Sequence, residues 1–175
     1  MILIVEGIDG AGKTTLCSRI SELLGWPVYK PVGNPLQHGM STVESQGHDR
    51  GAIGVLTTLV GPWGGIVMDR SFPSEYAYSG ALGRDYDVDA VLSLDKQVSE
   101  VNHLMILLNW PDGRAGYEHA KKRGMTELGK DDFLRVWSRY LEFEEISAMR
   151  IVRINAELGP EQILDEVFES IERIS

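Results

Sequence analysis

An α/β fold, five parallel strands with helices on both faces, is predicted by three observations. Short apolar runs rich in branched side chains recur at 2–5, 26–29, 65–69, 104–108 and 151–154. Helical patterns separate them, the alternation that parallel crossovers require. A glycine-rich turn lies directly between the first run and the first helix, the strand–loop–helix order in which a phosphate-binding loop occurs.

Ile2 to Val5 reads as a strand buried on both faces. Gly7, Gly12, Lys13 and Thr14 then satisfy G-x-x-x-x-G-K-[ST], and Leu16, Ile20, Leu23 and Leu24 follow at helical spacing. Glycines let the backbone curl around phosphate oxygens, and the free amides of a helix N-terminus attract anions. Lys13 would reach the β- and γ-phosphates, and the Thr14 hydroxyl would sit on Mg²⁺. Gly7, Asp9, Gly10, Ala11, Gly12, Lys13, Thr14 and Thr15 are thus the expected residues for a nucleoside triphosphate. The architecture that follows is the three-layer P-loop fold, strand one central and ligands along the carboxyl edge of the sheet.

Trp26 to Tyr29 is the second strand, closed by Lys30, Pro31, Gly33 and Pro35. Residues 36–49 carry little pattern, and Ala52 to Leu59 reads as helix. Gly65 to Asp69 is a third strand ending on an acid, and residues 73–82 form a helix with Tyr76 and Tyr78. Asp87 to Val101 is a helix with Val88, Val91, Leu92, Leu94 and Val98 as its stripe. Leu104 to Leu108 is strand four, stopped by Asn109, Trp110 and Pro111; Tyr117 to Arg123 is a basic helical stretch. Asp131 is expected to cap the long helix through Phe133, Val136, Trp137, Tyr140, Leu141 and Phe143. Ile151 to Ile154 is strand five, and Pro160 opens a final helix with Ile163, Val167 and Ile171.

At 175 residues a single domain over 1–175 is expected, with no repeat or linker. Hydrophobic and charged fractions of 43% and 25% are those of a globular chain, and no apolar run approaches a membrane span. With strand one at residue 2, no targeting segment is read. One cysteine, Cys17, excludes an internal disulfide and reads as a small buried hydrophobe, so a reducing, cytoplasmic setting is expected. A net charge of −9 argues against a broad hold on nucleic acid.

Asp69 closes its apolar strand as a Walker-B acid does, holding Mg²⁺ through water. Arg70 follows at once, placed for an anionic second substrate and bidentate toward a phosphate.

Val-Glu-Gly-Ile-Asp-Gly-Ala-Gly-Lys-Thr-Thr at 5–15 resembles the P-loop of thymidylate kinases, and Asp69-Arg70 through Ser74, Ala77 and Tyr78 resembles their Asp-Arg-x-x-x-Ser-x-x-Ala-Tyr segment. Gly83-Arg84, the strand from His103 to Asn109, Lys121-Lys122-Arg123-Gly124 and Pro160-Glu161 extend the resemblance along nearly the whole chain. It implies ATP as donor, Asp9 pointing at the acceptor sugar, and Arg70 and Arg50 on the acceptor monophosphate. It also implies Ser74, Glu75 and Tyr78 around the acceptor nucleoside, with Tyr78 favouring deoxyribose. A lid over 112–130 would bring Lys121, Lys122 and Arg123 over the transferring phosphoryl group, since Gly10 leaves the loop without an arginine. Such kinases are commonly homodimers, and apolar helix faces here would permit that.

Two departures stand out. Tyr29-Lys30-Pro31-Val32-Gly33-Asn34-Pro35 replaces the family's Arg-Glu-Pro-Gly-Gly-Thr-Pro, putting lysine where an acid is usual. Glu75 stands where a neutral side chain often meets the base, which suits a base edge presenting N–H donors, cytosine included. The expected reaction is phosphorylation of a pyrimidine deoxynucleoside monophosphate, dTMP to dTDP first. Two alternatives stay open. One is a P-loop kinase acting on a hydroxyl of a deoxynucleoside or of a modified base in DNA, which needs a general base such as Glu6, Asp9 or Asp69. The other is a nucleotide-binding switch without transfer, which leaves Asp69-Arg70 unexplained.

Overall fold

The computed structural model describes residues 1–30 and 64–174. Its first strand, β1 (Ile2–Gly7), is buried along its whole length, so its alternating side chains must be covered on both sides of the sheet. Ile2 and Ile4 face one apolar cluster and Leu3 and Val5 the other. The remaining elements are α1 (Lys13–Leu24), β2 (Val28–Tyr29), β3 (Ile66–Asp69), α2 (Phe72–Leu82), α3 (Val88–Ser99), β4 (His103–Asn109), α4 (Gly113–Lys122), α5 (Lys130–Ile146), β5 (Ile151–Asn155) and α6 (Pro160–Glu172).

All strand pairs are parallel, and the order β2-β3-β1-β4-β5 puts β1 at the centre. Helices α2, α3 and α5 cover the face holding Ile4, Met68 and Leu107. Helices α1 and α6 cover the face holding Val5, Val67 and Ile106. This is the three-layer α/β arrangement expected. It brings the ends of β1, β3 and β2, and therefore the glycine-rich loop, Asp69 and Lys30, to one edge.

Local readings change in four places. Gly129, not Asp131, is the N-cap of α5; Asp131 lies exposed in the first turn, where its charge meets the helix dipole without a capping bond. Helix α4 begins at Gly113, a turn earlier than its basic pattern, because Asp112 caps it by accepting from the Arg114 amide at 2.9 Å. Leu23 and Leu24, at the end of α1, are 58% and 36% exposed, whereas Leu16, Cys17 and Ile20 are buried. Val88 is also exposed, and Asp95 takes a buried place on α3. Its carboxylate accepts from the Ala148 amide at 2.6 Å and from the Ser147 hydroxyl, tying α3 to the end of α5. Arg50 and the helix expected at 52–59 lie outside the described residues.

Candidate active site

Between β1 and α1 the chain turns on glycines for steric reasons that the structure makes explicit. At Gly7, φ is 141° and a Cβ would lie 2.1 Å from the Leu108 carbonyl oxygen of the paired strand. At Gly10, φ is 82° and a Cβ would meet that of Ala120 at 2.9 Å. Helix α4 therefore rests directly on the loop, and a side chain at position 10 would push it away. Helix α1 begins without a side-chain cap, which leaves the first-turn amides of Lys13, Thr14 and Thr15 without intrahelical partners and favours an anion. Gly12, Thr14 and Thr15 are exposed on this rim.

Lys13 is 6% exposed, and its ammonium donates to the Ile8 carbonyl at 2.8 Å across its own loop. Burial, and then the nearby Arg70 charge, lowers its pKa to about 7, against the pull of Asp9, Glu6 and Asp69. A bound polyphosphate would restore the charge that burial opposes.

Thr14 and Asp69 meet: the hydroxyl donates to Asp69 Oδ2 at 2.8 Å, and the Lys30 ammonium donates to the same oxygen at 2.9 Å. Burial pushes the Asp69 carboxyl up, but the bonds from Lys30 and Thr14 and the neighbouring charges outweigh it and leave the pKa below the ordinary value. A hydroxyl and a carboxylate are the hard oxygen donors that Mg²⁺ takes when the rest of its shell is water and phosphate. Among the described residues no three His, Cys, Asp or Glu side chains form a cage for a metal, so this pair fits an ion held jointly with a nucleotide.

Across the loop lies a second cluster, centred on Arg70. It is the one non-glycine described residue with a left-handed backbone, φ 74°, a conformation that costs energy and persists only where surroundings enforce it. The Arg70 amide donates to the Val5 carbonyl at 3.1 Å, so the turn out of β3 stays pinned to β1. Its Nη2 reaches Asp9 Oδ1 at 2.5 Å and the Tyr78 hydroxyl at 3.3 Å; Nη1 reaches Gly7 O, Ser74 Oγ and the Tyr140 hydroxyl at 3.1–3.3 Å. The guanidinium also lies over the Tyr78 ring, 5.1 Å from its centroid. Burial works against this charge, but the oxygens of Tyr78, Tyr140, Glu6 and Asp9 hold it well above its usual pKa.

Beneath Arg70, Glu6 is fully buried inside β1. The Ser71 amide donates to its Oε1 at 2.6 Å, and the Ser74 and Tyr140 hydroxyls donate to Oε2 at 2.7 and 3.0 Å. Burial pushes this carboxyl up, opposed first by the Arg70 charge and then by those bonds. With both oxygens engaged, Glu6 serves as a buried anchor, which removes it as an accessible general base.

The other expected residues are placed less centrally. The Tyr78 hydroxyl oxygen accepts from the Asp9 amide at 3.2 Å, and burial raises its pKa. Glu75 is half-buried on α2 and accepts from Ser79 Oγ at 2.5 Å; burial raises its pKa, against that bond and the Arg84 charge. Arg123 is exposed at the end of α4, 3.3 Å from His119 Nε2 on its own helix, and Lys121 and Lys122 are exposed beside it. Cys17 is buried beneath the loop, and burial pushes its thiol up to about 12, which leaves it inert.

Three participants were not assigned to the site from the sequence. The sequence offers Glu6 only as a base, Lys30 only as a departure, and Tyr140 only as part of an apolar stripe. A signal existed for two of them. A carboxylate inside an apolar strand must be paired, and a buried tyrosine hydroxyl needs a partner.

Fold and loop together define a three-layer α/β P-loop protein. No family model matches the chain. In fold it is similar to the YorR protein of Bacillus subtilis, solved in complex with phosphorylated GDP, at TM-score 0.78 and 16% identity, over 98% of this chain and 96% of that one. It is also similar to deoxyadenosine kinase from M. mycoides solved with bound dATP, at TM-score 0.69 and 19% identity, over 98% and 100%. In sequence it is 28% identical to the thymidylate kinase of Vibrio vulnificus over 197 residues, covering 94% of this chain and 91% of that protein. It is likewise 28% identical to the probable thymidylate kinase of Archaeoglobus fulgidus over 192 residues, covering 98% and 95%. The chain is a thymidylate kinase-like P-loop kinase. Among the described residues no helix is long and apolar enough to cross a membrane.

Proposed function

We propose that this chain transfers the γ-phosphoryl group of ATP to a pyrimidine deoxynucleoside monophosphate, with dTMP to dTDP as the reference reaction. The observation that carries this reading is a pair of cationic sites on either side of one glycine loop. Lys13 and the α1 amides lie on one side, and Arg70, held by five hydrogen bonds, on the other.

In this mechanism the loop amides, Lys13 and Thr15 take the donor phosphates, and Thr14 with Asp69 would hold Mg²⁺. When bound there, Mg²⁺ would supply neutralisation of charge on the phosphate oxygens. Arg70 exchanges its bond to Asp9 for the acceptor phosphate, with Arg50 as a second contact. Asp9, released, accepts from a sugar hydroxyl, while Ser74, Glu75 and Tyr78 enclose the nucleoside. A phosphate oxygen needs little activation as a nucleophile, so positioning and charge neutralisation supply most of the rate. The segment 112–130 acts as the lid, closing Arg123 over the phosphates and excluding water. Its seat on Gly10 through Ala120 supports that placement.

The test is ADP release from ATP–Mg²⁺ with dTMP, dUMP, dCMP, UMP, CMP, thymidine and a short DNA. Turnover with one deoxynucleoside monophosphate is expected, and Arg70→Ala should lose rate on the order of 10²–10³-fold. Activity on thymidine or DNA alone would move the acceptor to a hydroxyl. Near-normal turnover in Arg70→Ala would remove the acceptor-phosphate role.

A further inference from the structure

We propose that Lys30 is a tethered cation for the metal position: its ammonium takes the Asp69 oxygen that a divalent ion would use, competes with that ion, and lets a triphosphate bind without it. The inference rests on the proposed binding of ATP at the loop.

The Asp69 carboxylate is 3% exposed at the end of an apolar strand, where a lone charge would be costly. Its Oδ2 receives both the Thr14 hydroxyl and the Lys30 ammonium, at 2.8 and 2.9 Å. Lys13 is committed elsewhere, to the Ile8 carbonyl at 2.8 Å. Lys30 arrives from beyond β2, the strand paired with β3, and its side chain is 58% exposed on a flexible four-carbon stem. The counter-charge of a buried acid is thus carried by the partner most easily displaced.

An ammonium and a divalent ion repel strongly when they share one oxygen, so a bound ion expels Lys30 from Oδ2. Without the ion, Lys30 stays as a compact positive charge next to Thr14, on the rim where phosphates lie. There it offsets the repulsion between the Asp69 carboxylate and the phosphate oxygens.

Calorimetric titration of ATP into the whole chain, with Mg²⁺ and with EDTA, tests this on the wild type, Lys30→Gln and Lys30→Arg. The wild type is expected to bind ATP in both media. In Lys30→Gln the preference for ATP–Mg²⁺ over metal-free ATP should rise about tenfold, and Lys30→Arg should return it toward the wild-type value. The same preference in wild type and Lys30→Gln overturns the inference and leaves ATP binding at the loop standing. Wild-type binding with Mg²⁺ but none in EDTA overturns it as well. No ATP binding by the wild type in either medium overturns the proposed function, and the inference with it.

Discussion

The two sides of the loop are built differently. The proposed donor side is made of near neighbours in sequence: Gly7 to Thr15 shape one turn, and the first-turn amides of α1 have no side-chain cap. The Arg70 side is assembled from four places, with Glu6 and Asp9 at and just past the end of β1, Arg70 after β3, Ser74 and Tyr78 on α2, and Tyr140 on α5. A backbone site depends on which residues can adopt a conformation; a side-chain site depends on the packing that aims each group. The first tolerates change at its exposed rim, and the second has almost no member whose loss leaves the others satisfied.

The largest effect should come from the shared foundation. Gly7→Ala puts a Cβ 2.1 Å from the Leu108 carbonyl oxygen and should cost about 3–5 kcal/mol in urea unfolding. A small change would mean that β1 and β4 separate there without penalty.

Arg70→Lys keeps a charge but loses the planar fork that spans Asp9, Ser74 and Tyr140. A loss of about a hundredfold in kcat/KM for the acceptor is expected, with little change in ATP affinity. Equal losses toward donor and acceptor would mean that the two sides are not separable.

Tyr140→Phe removes one donor to Glu6 while leaving Ser71 and Ser74 in place. It should destabilise the fold by about 1 kcal/mol and lower acceptor turnover more than ATP binding. If turnover is unchanged at equal stability, Tyr140 is packing alone.

The smallest effect concerns the donor side. Cys17 is 1% exposed, with its thiol pushed up to about 12. The native chain should resist a thiol reagent at pH 8 and react only on unfolding. Prompt labelling of active protein would show that α1 opens beneath the loop.

Where the candidate site is built from contiguous residues, its local structure is legible in the sequence. Glycine spacing, lysine and hydroxyl disclosed the loop, and the acid closing an apolar run disclosed Asp69, because strand ends and helix starts follow from local pattern. At the start of α5, Asp131 and Gly129 both suit a helix cap by type, and backbone direction decides for Gly129. The places of Leu23, Leu24 and Val88 depend on which helix face lies against the sheet, and periodicity leaves its edges undefined.

The sequence by itself determined the class of fold, the glycine-rich loop between β1 and α1 and the identity of its lysine, threonine and strand-end acid, since those rest on short-range sterics and spacing. Only the tertiary structure decided that Glu6 anchors Arg70 through Ser74 and Tyr140, and that Lys30 stands on Asp69. Those pairings join residues 39 to 134 positions apart, and only the packing of the sheet and its helices brings such distant groups together.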